Sequence, residues 1–144
     1  MNKKIRKIVD LSLFLAFILL PITSARWIAV HQITGILMLL LIIIHLYLNI
    51  GWIKNSLKNL FKGKMNKKAK RLLVLAALLA IAFTATIITG ILAAQALSID
   101  GGGNHPVHRL HTLSAIISGI LVLLHIKLNW SLIKLLLRKK DGPR

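Results

Sequence analysis

Four long apolar stretches divide this chain of 144 residues, and they restrict its fold more than any other feature. They lie at about residues 8–25, 27–53, 72–98 and 107–137. A helix needs roughly 20 mainly apolar residues to cross the hydrocarbon core of a bilayer. Because 56% of the residues are hydrophobic, a soluble domain of this length would be unable to bury them. The sequence therefore predicts one all-α domain over residues 1–144, a four-helix transmembrane bundle built from two helical hairpins.

The charged residues are very unevenly distributed. The chain has 20 Lys plus Arg against 3 Asp plus Glu, and the basic residues cluster at positions 3–7, 54–71 and 134–144. The positive-inside rule therefore predicts a multi-pass protein of the prokaryotic inner membrane with both termini and the middle loop in the cytoplasm. The clusters are expected to contact anionic lipid headgroups. A nucleic-acid partner is not expected, because the basic residues are segregated between apolar runs.

The end of the first apolar stretch supports two interpretations. Pro21 and Arg26 predict a tight turn that leads into a second span. The basic start, the run from Leu11 to Leu20 and the segment Thr23-Ser24-Ala25 also resemble a signal peptide with its cleavage site, which would leave three spans. We favour four spans, because cleavage would leave the new N-terminus little room outside the membrane.

Four histidines lie inside the apolar stretches. His31 and His45 are in the second, His111 and His125 are in the fourth, and both pairs are 14 residues apart (45 minus 31, and 125 minus 111). At about 100° per residue, that spacing falls within about 40° of a whole number of turns and rises roughly 21 Å. Each pair therefore lies on one helix face. Since the second and fourth spans run in the same direction, His31 matches His111 in depth and His45 matches His125.

Imidazoles at matched depths in a membrane indicate a common ligand. An isolated imidazole is costly there and is a functional candidate by default. Haem iron accepts one His from each side, whereas Zn²⁺ requires three or four ligands close together. With no Cys in the chain, covalent attachment of haem through a C-x-x-C-H motif is excluded. We predict two non-covalent haem b groups, bound by His31 with His111 near the outer surface and by His45 with His125 near the inner surface. The alternative is that each His is a core residue bonded to a neighbouring hydroxyl or carbonyl.

An internal repeat supports the haem interpretation. A shift of 80 residues superimposes the second stretch on the fourth, and the matched His, Asn and Lys are less common in membrane helices than the matched Leu and Ile. The matched residues are His31, Ile36, Leu41, His45, Leu48, Asn49, Ile53 and Lys54 with His111, Ile116, Leu121, His125, Leu128, Asn129, Ile133 and Lys134. The first and third stretches show no clear similarity to each other.

These motifs resemble known families. The H-x13-H spacing on two parallel helices is similar to the dihaem core of respiratory cytochrome b. The short length, and the His-x-x-Leu-Asn endings followed by Trp52 or Trp130 and then Lys, resemble a family of small four-helix bacterial membrane proteins. That family has long been catalogued as a domain of unknown function and is linked to flavinylated extracytoplasmic electron carriers. The resemblance covers nearly the whole chain. It implies electron passage between a quinone pool or a cytoplasmic donor and a partner outside.

Polar residues near the ligands complete the predicted site. Asn49 and Asn129, one turn beyond the inner ligands, either hold the propionates of the inner haem or cross-link helices. Thr34 and Ser114, three residues past the outer ligands, bond a propionate, a neighbouring helix or their own backbone.

Glycines and second-nitrogen partners are also predicted. Gly35 and Gly119, like Gly90, permit close approach of another helix or of a porphyrin face. A ligating imidazole usually donates its second ring N–H to a carbonyl or carboxylate. We expect the acceptor to be the carbonyl four residues earlier in the same helix, so no acidic partner is required. Asp10 is expected to pair with a nearby cation.

The predicted role is electron transfer. With both axial positions filled, the iron has no free site for oxygen chemistry. We therefore assign no catalytic residues and expect an electron-transfer subunit of an oxidoreductase system, with a quinone or a redox partner protein. Two other functions stay open: a small transporter or proton pathway that uses the same histidines as relays, and a structural interaction protein. His105 and His108 are candidate proton donors at an outer quinone, an adventitious metal site or solvated loop residues.

Overall fold

The computed structural model describes residues 3–24, 27–100 and 106–137, and within these ranges the regular structure is helical. The four helices are α1 (Lys3–Thr23), α2 (Ile28–Phe61), α3 (Lys67–Asp100) and α4 (Pro106–Leu137). The chain divides into two compact units, Met1–Lys62 and Gly63–Arg144. In the first unit α1 packs on α2, and in the second α3 packs on α4. The all-α fold and its two helical hairpins are therefore confirmed.

The helices have the length and apolarity of membrane spans. Among the described residues, Ile28–Phe61, Lys67–Gln95 and Pro106–Trp130 qualify as candidate spans. Large apolar side chains point away from the helix contacts in both hairpins, as at Ile33 and Ile81, which are 59% and 67% exposed. Such surfaces require lipid. The α1 helix is shorter and carries charges at its start, and its span remains a prediction.

The helix ends differ from the predicted stretches for local reasons. The α1 helix continues through Pro21 to Thr23, because a proline in the last turn removes only one backbone hydrogen bond. The turn therefore lies after Pro21, and the Trp27 N–H closes it by donating to the Thr23 carbonyl at 3.0 Å. The α2 helix continues to Phe61, beyond residue 53, and Gly63 follows it with φ of +66°. Asn66 caps α3 by accepting the Ala69 N–H at 2.8 Å. Arg26 and His105 lie outside the described residues.

Each hairpin packs through small residues at intervals of seven. Val9, Ala16 and Thr23 are buried along α1, and Leu75 and Ala82 are buried along α3. This interval is that of helices packing side by side along a narrow seam. The α1 positions map onto the α3 positions with a shift of 66 residues, whereas α2 maps onto α4 with a shift of 80. The two hairpins thus have the same internal architecture, and the similarity of α1 to α3 lies in the packing rather than in the residue identities.

Ser118 marks the closest part of the second hairpin. It is 2% exposed, and its Oγ lies 3.1 Å from the Thr86 Oγ1 across the α3–α4 contact. Ser118→Leu is expected to force the two helices apart and to lower the free energy of unfolding by about 1–3 kcal/mol. Denaturant unfolding in detergent measures this, with the exposed Thr112→Leu on the same helix as the control. Equal stability of the two variants would contradict the packing described.

Candidate functional site

The outer histidines are each held by the neighbouring helix of their own hairpin. His31 Nδ1 lies 2.9 Å from the Leu20 carbonyl of α1, and His111 Nδ1 lies 3.0 Å from the Thr86 carbonyl of α3. A carbonyl oxygen only accepts, so Nδ1–H is the donor in both rings. In the neutral imidazole this leaves the lone pair on Nε2, the state in which a histidine binds a metal.

The inner histidines differ from one another. His45 Nδ1 lies 2.8 Å from the Asp10 carboxylate of α1, and the two side chains are 33% and 40% exposed. Nδ1–H again donates, because an ionised carboxylate only accepts. His125 Nδ1 is buried. The shift of 66 that relates α1 to α3 places Ala76 at the position equivalent to Asp10, so this position of the second hairpin carries no carboxylate.

An asparagine accompanies each inner histidine in the same way. The Asn49 amide donates to the His45 carbonyl at 2.8 Å and lies 3.4 Å from His45 Nε2. The Asn129 amide donates to the His125 carbonyl at 2.9 Å and lies 3.3 Å from His125 Nε2. Both amides therefore bond within their own helix and lie beside the ring nitrogen that would bind iron. Their role towards haem propionates stays a prediction.

The donor set fits axial ligation of haem iron. Three of the four rings offer Nδ1 to an acceptor, which directs the Nε2 lone pair outwards. Within the described residues of either hairpin, no three His, Cys, Asp or Glu side chains converge as a polydentate metal site would require. A hairpin presents its two imidazoles roughly 21 Å apart along one helix. Each level of a hairpin thus supplies one imidazole, the unit from which bis-His haem coordination is built.

The comparison with known families agrees with this donor set. A family model described as prokaryotic cytochrome b561 matches residues 5–128. The chain belongs to the prokaryotic cytochrome b561 family. It is therefore a prokaryotic membrane cytochrome of the b type, which binds haem b and transfers electrons, and the resemblance to bacterial membrane cytochromes is confirmed. No curated protein and no solved structure matches the chain.

The predicted hydroxyls of this cytochrome b561 family member lie near the outer ligands. Ser114 Oγ donates to the His111 carbonyl at 2.9 Å and lies 3.4 Å from the Thr89 hydroxyl of α3. It therefore contacts both its own backbone and the neighbouring helix. Thr34 is half-buried at the equivalent position of α2.

The glycines have unequal surroundings. A Cβ added at Gly35 would meet no heavy atom within 4 Å, which leaves room beside the His31 turn. A Cβ added at Gly90 would lie 3.0 Å from Cε1 and 3.2 Å from Nδ1 of His111. Gly119 is half-buried on α4. The glycine in contact with a predicted haem ligand is thus Gly90, which lets the His111 ring lie against α3.

The acceptors for the ligand histidines are where the structure departs from expectation. The carbonyl four residues before His31 belongs to Trp27, and it accepts the backbone N–H of His31 at 2.9 Å. Because helical carbonyls are engaged in this way, the imidazoles turn to the neighbouring helix instead. Asp10 bonds His45 rather than serving only a cation. Its signal in the sequence is clear in retrospect, since it is the one acidic residue inside an apolar stretch.

His108 is exposed on α4 and does not share the half-buried surroundings of His111. The three-residue separation rotates it by roughly 60° from His111 around the helix. Its role at a quinone stays a prediction.

Proposed function

We propose that this cytochrome carries electrons across the inner membrane through two haem b groups, each bound by one histidine of each hairpin. His31 and His111 would hold the outer haem, and His45 and His125 the inner haem. The observation that carries the proposal is the repeated presentation of imidazoles. Both hairpins offer a His pair with the same spacing, and in both the outer ring donates Nδ1–H to a carbonyl of the partner helix.

The protein's contribution is to hold the rings ready. The carbonyls of Leu20 and Thr86 and the carboxylate of Asp10 select the tautomer and orient the ring. Haem b supplies a one-electron carrier when bound, and two axial imidazoles leave its iron without a substrate site. A rise of roughly 21 Å between the levels is a large part of a hydrocarbon core about 30 Å thick. The two levels therefore suit passage across the bilayer.

The partners follow from topology and chemistry. With the basic clusters and both termini in the cytoplasm, the inner haem would receive or deliver electrons near the cytoplasmic surface, with a quinone or a cytoplasmic reductant as the inner partner. The outer haem would exchange electrons with an extracytoplasmic acceptor. The resemblance to proteins linked to flavinylated carriers makes a flavoprotein a candidate for that acceptor.

The test is haem content and coordination of the purified protein. We expect two haem b per chain, and a reduced-minus-oxidised visible spectrum of low-spin, six-coordinate iron. The proposal predicts that carbon monoxide leaves the reduced spectrum unchanged, because both axial positions are filled. A colourless, folded protein that transports protons or another solute would contradict it, as would a high-spin spectrum from a single axial ligand.

A further inference from the structure

The contact between Asp10 and His45 is a charged partner at the second ring nitrogen of a proposed haem ligand. The Nδ1 and Oδ1 atoms are 2.8 Å apart, between α1 and α2 of one hairpin. Arg6, one turn earlier on α1, donates to the Leu48 carbonyl of α2 at 2.8 Å. The start of α1 is therefore tied to α2 by two polar contacts, of which one ends on a proposed iron ligand.

This contact distinguishes the two inner histidines. In the packing that relates the hairpins, Leu20 corresponds to Thr86, and both offer a carbonyl to an outer histidine. The same relation puts Ala76 in the place of Asp10. A methyl group accepts no hydrogen bond and has no charge. The outer ligands thus have matching partners in the two hairpins, whereas the carboxylate at the inner level comes from α1 alone.

We propose that Asp10 is a positioning residue that lowers the midpoint potential of the haem held by His45. This inference rests on the function proposed above. A carboxylate that accepts the Nδ1–H of a metal-bound imidazole orients the ring and makes it a stronger electron donor. A stronger donor stabilises ferric over ferrous iron, and a negative charge in a medium of low dielectric constant acts in the same direction. Asp10 therefore separates the potentials of the two haems.

The experiment is a redox titration of the visible spectrum of the purified holoprotein, with electron paramagnetic resonance of the oxidised form. Asp10→Asn keeps the size and an acceptor oxygen but removes the charge, and Asp10→Ala removes both. We expect each variant to raise one potential and leave the other unchanged. The predicted change is about tenfold in the preference for ferric iron, which is about 59 mV for one electron. Asp10→Glu should restore most of the shift.

Two further variants make the test specific. Ala76→Asp would supply a carboxylate in the second hairpin, and it should lower the same potential that Asp10→Asn raises. The resonance signal of the inner haem should change with Asp10→Ala, while that of the outer haem should not. Loss of the inner haem in Asp10→Ala, with a raised potential in Asp10→Asn, would also support the assignment.

The outcomes that overturn this inference differ from those that overturn the proposed function. Unchanged potentials in both Asp10→Asn and Asp10→Ala, at normal haem content, would refute the role of Asp10 alone. Equal shifts of both potentials would show a general structural effect and would refute it too. Absence of two separable haems in the unaltered protein would instead refute the two-haem function.

Discussion

Replacing His31 with Ala is expected to remove one of two haems, and replacing His111 with Ala should remove the same one. His45→Ala and His125→Ala should each remove the other. An axial ligand lost from a bis-His haem leaves one bond to iron and a cavity where the imidazole lay. Haem content per chain should fall from two to one in each single variant. The double variant His31→Ala with His111→Ala should lose no more than either single variant, because both changes affect one site.

The measurement is haem quantified per chain, together with a redox titration that identifies which potential is lost. His108→Ala is the matched control, since this exposed residue lies one turn before His111 on the same helix. It should keep both haems. The pairing would be wrong if His31→Ala and His111→Ala removed haems of different potential, or if all four variants kept full haem.

Gly90→Ala should weaken binding of the outer haem although it adds a single methyl group to a residue that is not a ligand. The new Cβ would lie 3.0 Å from Cε1 of His111, closer than an ordinary contact, and the ring is already bonded to the Thr86 carbonyl on the same side. The ring must therefore move by a few tenths of an ångström and lose its orientation. Changes to the groups that orient a ligand typically cost about 10–100-fold in metal affinity, and we expect about tenfold here, with Gly90→Leu removing the outer haem.

Gly51→Ala is the control for this experiment. Gly51 is helical and exposed, and a Cβ there would meet no heavy atom within 4 Å. Alanine in a helix is more stable than glycine by about 1 kcal/mol, so the control should be as stable as the unaltered protein or more so. Haem titration of both apoproteins gives the affinities. Equal outer-haem affinity in Gly90→Ala and Gly51→Ala would show that the His111 ring does not depend on the glycine.

Gly90 also illustrates what spacing in a sequence cannot reveal. Among the glycines, Gly35 lies closer in sequence to a ligand histidine, yet it is Gly90 on the neighbouring helix that contacts His111. The contact depends on which residues of two antiparallel helices face each other. Asp10 and His45 are similarly 35 residues apart and meet only because α1 packs against α2. No local pattern encodes such a pairing.

The sequence by itself determined the helices, the helical hairpins and the spacing of the histidines, because apolar length and helical periodicity are local properties of a chain in a membrane. Only the tertiary structure decided the partners of the rings. The correspondence of α1 with α3 was hidden because Leu20 precedes His31 by 11 residues, whereas Thr86 precedes His111 by 25. The longer connection lets α3 continue to Asp100 before the chain returns. The side-chain contacts across each hairpin set the register between its helices, and that register places a carbonyl, a carboxylate or a glycine beside each imidazole.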